Sequence, residues 1–174
     1  TISATNPSCS TGTGSISVST GTGGSGSGYQ SKLNSGGTYA NLPQTYSSLG
    51  GGSYTIYIKD GAGCVKTYTS TITIPSAVTV SQSSVTYPTC YNSTNGSVTL
   101  SASGGSGSGY QYSKDNGSTW QTGTTFNTLS STSYTFIAKD GNSCQSSGLT
   151  IDLTKTAPAC TATVTNVLCN GGTG

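Results

Sequence analysis

This chain says nearly the same thing twice. Cys9, Gly28-Tyr29-Gln30, Tyr54-Thr55, Lys59-Asp60-Gly61 and Cys64 return in order as Cys90, Gly109-Tyr110-Gln111, Tyr134-Thr135, Lys139-Asp140-Gly141 and Cys144. The offsets are 81 at the start (90 − 9, 110 − 29) and 80 at the end (134 − 54, 144 − 64). A third copy opens at Cys169-Asn170-Gly171-Gly172-Thr173-Gly174, in phase with Cys9-Ser10-Thr11-Gly12-Thr13-Gly14. Such a chain cannot gather around one large core; it folds as successive small units, each finding its own interior. The expected units are residues 1–75 and 76–157, with 158–174 the start of a truncated third, as in a piece of a longer array.

A unit of about 80 residues lies near the lower limit at which one hydrophobic core sustains a domain, so covalent staples are expected. Six cysteines supply them. Each full unit owns one early and one late cysteine, and the economical pairing is Cys9 with Cys64 and Cys90 with Cys144. Closing a loop of some 55 residues is worth about 4 kcal/mol in the chain-entropy model. Such staples imply an oxidising compartment. Cys160 has no counterpart at its phase, which leaves Cys169, a neighbouring chain or the rest of a third unit as its partner.

Period-two alternation dominates the chain. Ile16 and Val18, then Val98, Leu100 and Ala102, alternate with small polar residues. So do Tyr54-Ile56-Ile58 and Tyr134-Phe136-Ala138, the signature of half-buried antiparallel strands. Apolar residues do not recur at helical spacing, and Thr, Ser, Val, Ile and Tyr favour strand, so no helix is expected. Asp60-Gly61 and Asn116-Gly117 read as tight turns. About seven strands per unit predict an all-β fold of tandem immunoglobulin-like sandwiches. In the first unit the strands are expected at 2–6, 14–20, 27–33, 37–40, 45–49, 53–59 and 64–74. The Gly/Ser tracts 21–28 and 104–109 look like linkers, but their phase makes them interstrand loops. The joints fall instead at Pro75-Ser76 and Ala157-Pro158, short enough to predict a semi-rigid rod.

The chemistry available is narrow. Charged residues make up 6% of the chain against a usual quarter, Ser and Thr exceed a third, and His, Glu, Arg and Met do not occur. A net charge of +2 spread over isolated lysines builds no basic stripe for nucleic acid. No apolar run has the length of a membrane span, and no signal peptide remains, so any secretion signal is expected outside this segment. With no histidine or glutamate, nucleophile–base and carboxylate-pair arrangements are not available, so no enzymatic activity, catalytic residue or cofactor is expected. Asp60 and Asp140 with glycine-rich carbonyls are the only calcium candidates. One carboxylate per site favours a plain Asp-Gly turn, and no metal is expected.

Tyrosines offer stacking faces, and Trp120, with Tyr39 as its nearest counterpart in the first unit, is the candidate sugar platform. Asn92, Asn95 and Asn116 lie in glycosylation sequons. The segments Val164–Gly174, Tyr110-Gln111-Tyr112-Ser113-Lys114-Asp115-Asn116-Gly117-Ser118-Thr119-Trp120 and Tyr134–Cys144 resemble the repeats of SprB-type adhesins, giant surface proteins of gliding Bacteroidetes. The resemblance covers both full units and the start of the third. It implies export through the type IX pathway, an extracellular location at the cell surface, a filament many repeats long, and adhesion to a substratum while the anchored end is carried along the cell by a motor. It brings no catalytic residues. Cys160 and the scarcity of acids depart from it.

The sequence thus points to a structural and adhesive segment of a secreted surface filament. Its expected partners are neighbouring repeats, other copies of the filament, and surface polysaccharide or substratum, with neither nucleic acid nor membrane insertion among them. Two other classes remain open: a carbohydrate-binding array of a secreted enzyme, and a self-assembling filament subunit that exchanges a strand such as 161–167.

Overall fold

The computed structural model describes residues 1–157. All regular structure in that range is strand. β1 (Ile2–Thr5), β2 (Gly14–Val18), β3 (Gln30–Leu33), β4 (Ala40–Asn41), β5 (Gln44–Leu49), β6 (Gly52–Lys59) and β7 (Val65–Ile72) come first. Then follow β8 (Thr79–Thr86), β9 (Gly96–Ser103), β10 (Gln111–Ser113), β11 (Thr125–Leu129), β12 (Ser133–Lys139) and β13 (Leu149–Asp152). Every sheet draws its strands from one half of the chain. The first half forms β1-β2-β5 and β4-β3-β6-β7; the second forms β8-β9-β11 and β10-β12-β13, all antiparallel. The described residues are therefore all-β, with one two-layer sandwich topology built twice.

Alternation explains which face is buried. In β2, Ile16 and Val18 are inaccessible to water while Ser15 and Ser17 are half-exposed. They meet Ile56 of β6 and Ile72 of β7 across the first interior. In the second, Val98 and Leu100 of β9 face Phe136 of β12 and Ile151 of β13. Fully burying one such side chain contributes roughly 1.5–3 kcal/mol.

Details repeat as well as topology. β5 and β11 each carry an extra residue against their partner, beside Ser48 at φ 57° and Thr128 at φ 56°. Such bulges bend an edge strand and increase its twist. At the head of β6 the Tyr54 hydroxyl donates to Gly50 O at 2.9 Å, and at the head of β12 the Tyr134 hydroxyl accepts from Ser130 N at 3.0 Å. These are corner contacts of the kind immunoglobulin-like sandwiches use. One expected element is not repeated. The strand expected at 37–40 shrinks to the two residues of β4, and the second half has only an isolated bridge, Tyr112 with Gln121.

Candidate functional site

The place where the two halves meet is the most heavily built part of the molecule. Cys9 is bonded to Cys144, 135 residues away, with Cα atoms 5.5 Å apart. The Ser8 carbonyl oxygen lies 3.2 Å from Cys144 Sγ. This overturns the expected pairing of Cys9 with Cys64 and of Cys90 with Cys144.

Strand direction gives the reason. Cys9 lies in the turn after β1, at the end of its sandwich where Gly14 packs on Ile72. Gly52, the first residue of β6, pairs with that same Ile72. Cys64 follows the last residue of β6, at the opposite end, beside Thr1 and Thr20. Eight residues of β6 separate the two ends, more than about 20 Å at about 3.3 Å per residue. Bonded cysteines need Cα atoms within about 7 Å. Each early cysteine therefore stands at the exit end of its unit and each late cysteine at the entry end, so only cysteines of successive units face each other. Cys64 and Cys90 are exposed and outside the disulfide. Cys160 and Cys169 lie outside the described residues, as does the strand 161–167.

An aspartate positions each late cysteine. Asp60 is buried, accepting Ser25 N at 2.8 Å on one carboxylate oxygen and Ala62 N at 3.0 Å and Cys64 N at 2.8 Å on the other. Asp140 does the same with Ser106 N at 2.7 Å, Asn142 N at 2.9 Å and Cys144 N at 2.9 Å. The Gly/Ser tracts are shaped to admit these carboxylates. A Cβ on Gly24 or Gly105 would lie 2.1 or 2.2 Å from the carboxylate, at φ +57° and +59°. The tracts are cradles, and the residues that make them look like linkers are those that let the backbone approach a charge.

The amide donors, Ser25 first and then Cys64, hold the Asp60 carboxyl below the ordinary carboxylate range. Burial works to raise Asp140, but the amides of Ser106, Cys144 and Asn142 outweigh it and its carboxyl also ends below that range. With three backbone N–H donors on each carboxylate, Asp60 and Asp140 act as turn-formers. The connector is tied to the second cradle: Gly105 N donates to Ser76 O at 2.9 Å, and a Cβ on Gly104 would meet Ala77 O at 2.0 Å. Two ties thus span the joint, the backbone and the Cys9–Cys144 bond.

The two candidate sugar platforms occupy equivalent positions and share a neighbour. Lys59 Nζ sits 4.3 Å from the Tyr39 ring centre and Lys139 Nζ 4.3 Å from that of Trp120. One face of each half-buried ring is therefore covered by a cation, an arrangement worth about 0.5–1 kcal/mol at exposed sites. The sequence signal for this contact is that lysine and aromatic repeat together, Lys59 with Tyr39 and Lys139 with Trp120. A groove of about 330 Å3 lies beside Trp120, walled by Tyr112, Lys114, Gln121 and Asn127.

All three sequon asparagines, Asn92, Asn95 and Asn116, are exposed. Asn95 is engaged at both ends of its amide, accepting from Thr89 N at 3.0 Å and donating to Thr89 Oγ1 at 3.2 Å. Among the described residues no group of three or more His, Cys, Asp or Glu gathers, and no helix is long and apolar enough to cross a membrane.

The SprB repeat family model matches residues 82–119, from β8 through the turn at Asp115. That is the family whose resemblance the sequence carries in Tyr110–Trp120. A solved structure of the C-terminal 282-residue fragment of intimin, in complex with the intimin-binding domain of the translocated intimin receptor, is similar at 15% identity with a TM-score of 0.48. The match covers 88% of this chain and 63% of that one, so the chain spans less than two thirds of its length. No curated protein matches the chain.

Proposed function

We propose that the chain is a structural and adhesive segment of a repetitive, secreted cell-surface protein, without catalytic activity. The observation that carries the reading is the disulfide that joins one unit to the next. A bond that closes a unit protects its fold; a bond across a joint limits how far and how freely successive units move. The match of residues 82–119 to the SprB repeat supports a surface location, and the extracellular setting suits a structural disulfide. Adhesion in this reading is multivalent: many nearly uncharged, hydroxyl-rich units each bind weakly to polysaccharide or substratum. A part in gliding is the finer form of the same proposal.

Antibody raised against the chain tests it on intact cells of the source organism. The expected result is surface labelling without permeabilisation, together with reduced attachment of the cells to glass or polysaccharide. Labelling that appears only after permeabilisation would refute the surface assignment.

A further inference from the structure

We infer that the Cys9–Cys144 bond is one rung of a ladder: the early cysteine of each repeat pairs with the late cysteine of the next, and Cys64 and Cys90 are the two half-joints this chain presents to further repeats. The inference rests on the array reading above and adds how its joints are closed.

The open cysteines are built like the joined ones. Cys64 is held by Asp60 through the same amide contact that Asp140 makes to Cys144. Behind each, glycines pack closely: a Cβ on Gly28 would lie 3.0 Å from Gly61 Cα, and one on Gly109 would lie 2.9 Å from Gly141 Cα. On the other side, the Cys9 carbonyl accepts from Gly12 N at 3.0 Å and the Cys90 carbonyl from Ser93 N at 3.1 Å, closing the same turn. Strand direction places Cys64 at the entry end of the first sandwich and Cys90 at the exit end of the second, facing away from the joint already formed.

A second observation, independent of sulfur, marks both ends as contact surfaces. The exposed large apolar side chains among the described residues are Val65 (51%), Tyr68 (45%), Tyr87 (48%) and Tyr91 (51%). Two of them flank Cys64 and two flank Cys90. A groove of about 610 Å3 opens at the Cys64 end, walled by Thr1, Tyr29, Asp60, Val65 and Tyr68. Its occupant is the early-cysteine turn of a preceding repeat, the counterpart of Pro7-Ser8-Cys9-Ser10. At the joint already formed, that turn sits against the second sandwich, where Cys9 packs on the core and Cys144 is only 8% exposed.

Closing a rung needs a disulfide oxidant, small-molecule or protein. One cysteine thiolate attacks the oxidant's S–S bond, forming a mixed disulfide and releasing one thiolate. The second cysteine attacks the protein sulfur of that mixed disulfide and expels the other thiolate. Two protons leave the cysteines, and the oxidant takes up two electrons.

The test is a polypeptide in which residues 1–174 run on into a second copy of residues 15–174, since Gly174 and Gly14 share a phase. After refolding in a glutathione redox buffer, it is mapped by mass spectrometry without reduction, alongside the chain itself. The expected crosslinks in the long form are Cys9–Cys144, Cys90 to Cys64 of the second copy, and Cys169 to Cys144 of the second copy. The chain alone should give Cys9–Cys144. Replacing Cys90→Ser in the long form should release one reactive thiol, at Cys64 of the second copy, and leave the other crosslinks unchanged. Cys90 found as a free thiol while Cys9–Cys144 persists would overturn the ladder and leave the surface-protein reading intact. Cys90 paired within its own unit would overturn the ladder as well.

Discussion

The two sandwiches share a topology and differ in how they fill it. The first buries Ile16, Val18, Ile56 and Ile72 as its core; the second buries eleven residues, among them Phe126 and Phe136 with ring centres 5.4 Å apart. At one matched pair of positions the change is chemical. Ser31 and Tyr46 share a hydrogen bond of 2.8 Å in the first unit, where the second has Tyr112 and Phe126, both buried. A small residue with a polar aromatic has become a large residue with an apolar one. What stays constant is the framework of aspartate cradles, bulges and corner tyrosines. The fold is thus specified by turns and strand order, while core size sets how stable each copy is.

That contrast predicts unequal unfolding. Denaturant titration of the disulfide-reduced chain should show two transitions, the first unit melting earlier. Phe136→Ala should lower the later transition by about 3–5 kcal/mol, the usual cost of emptying an aromatic core site, and leave the earlier one in place. A single transition shifted as a whole would mean that the units share one cooperative core. Next in size, Gly105→Ala forces a side chain into a left-handed position against the Asp140 carboxylate. It should cost the second unit at least about 1–2 kcal/mol, and Gly24→Ala should do the same to the first. Equal tolerance at both would show that the cradles do not set the fold.

A smaller effect belongs to the first unit alone. Ser31→Ala leaves the Tyr46 hydroxyl without its partner and should cost about 1 kcal/mol, measured as a shift of the earlier transition only.

The most gradual effect is the acid response. Asp60, Asp115 and Asp140 all have folded-state values below the reference of 3.8, with Asp115 at about 2 through Ser113 and Thr119. Groups shifted this way contribute their full stabilisation above the unfolded value and lose it as pH falls through the folded one. Melting temperature should be flat above about pH 4 and fall between about pH 4 and 2. Asp115→Asn should flatten part of that fall, and an unchanged slope would mean that its contacts do not persist in solution.

The sequence carried the strands because period two survives a biased composition. The expected 53–59 became β6 at Gly52–Lys59, and 14–20 became β2 at Gly14–Val18. It also placed both Gly/Ser tracts between strands, though what they cradle was not visible until Asp60 and Asp140 were seen inside them. The cysteine pairing failed for a reason that was itself legible. Recurrence shows which cysteines are equivalent, whereas pairing depends on which end of the sandwich each occupies. The turn after a first strand and the turn before a last strand lie at opposite ends when the chain enters at one end and leaves at the other. Trp120 and Tyr39 are legible in the sequence as aromatics near one phase, but their lysine partners, Lys59 of β6 and Lys139 of β12, are brought over the rings only by the folded register.

The disulfide spans the joint and leaves neither sandwich closed on itself. Single-molecule stretching of the chain from its two ends, with a reducing agent added during the pull, tests it directly. One reduction event is expected, freeing the 135-residue loop, about 450 Å of extended chain at roughly 3.3–3.6 Å per residue. Two separate events, each freeing about 180–190 Å as loops of some 55 residues would, would show that each unit closes on itself and contradict it.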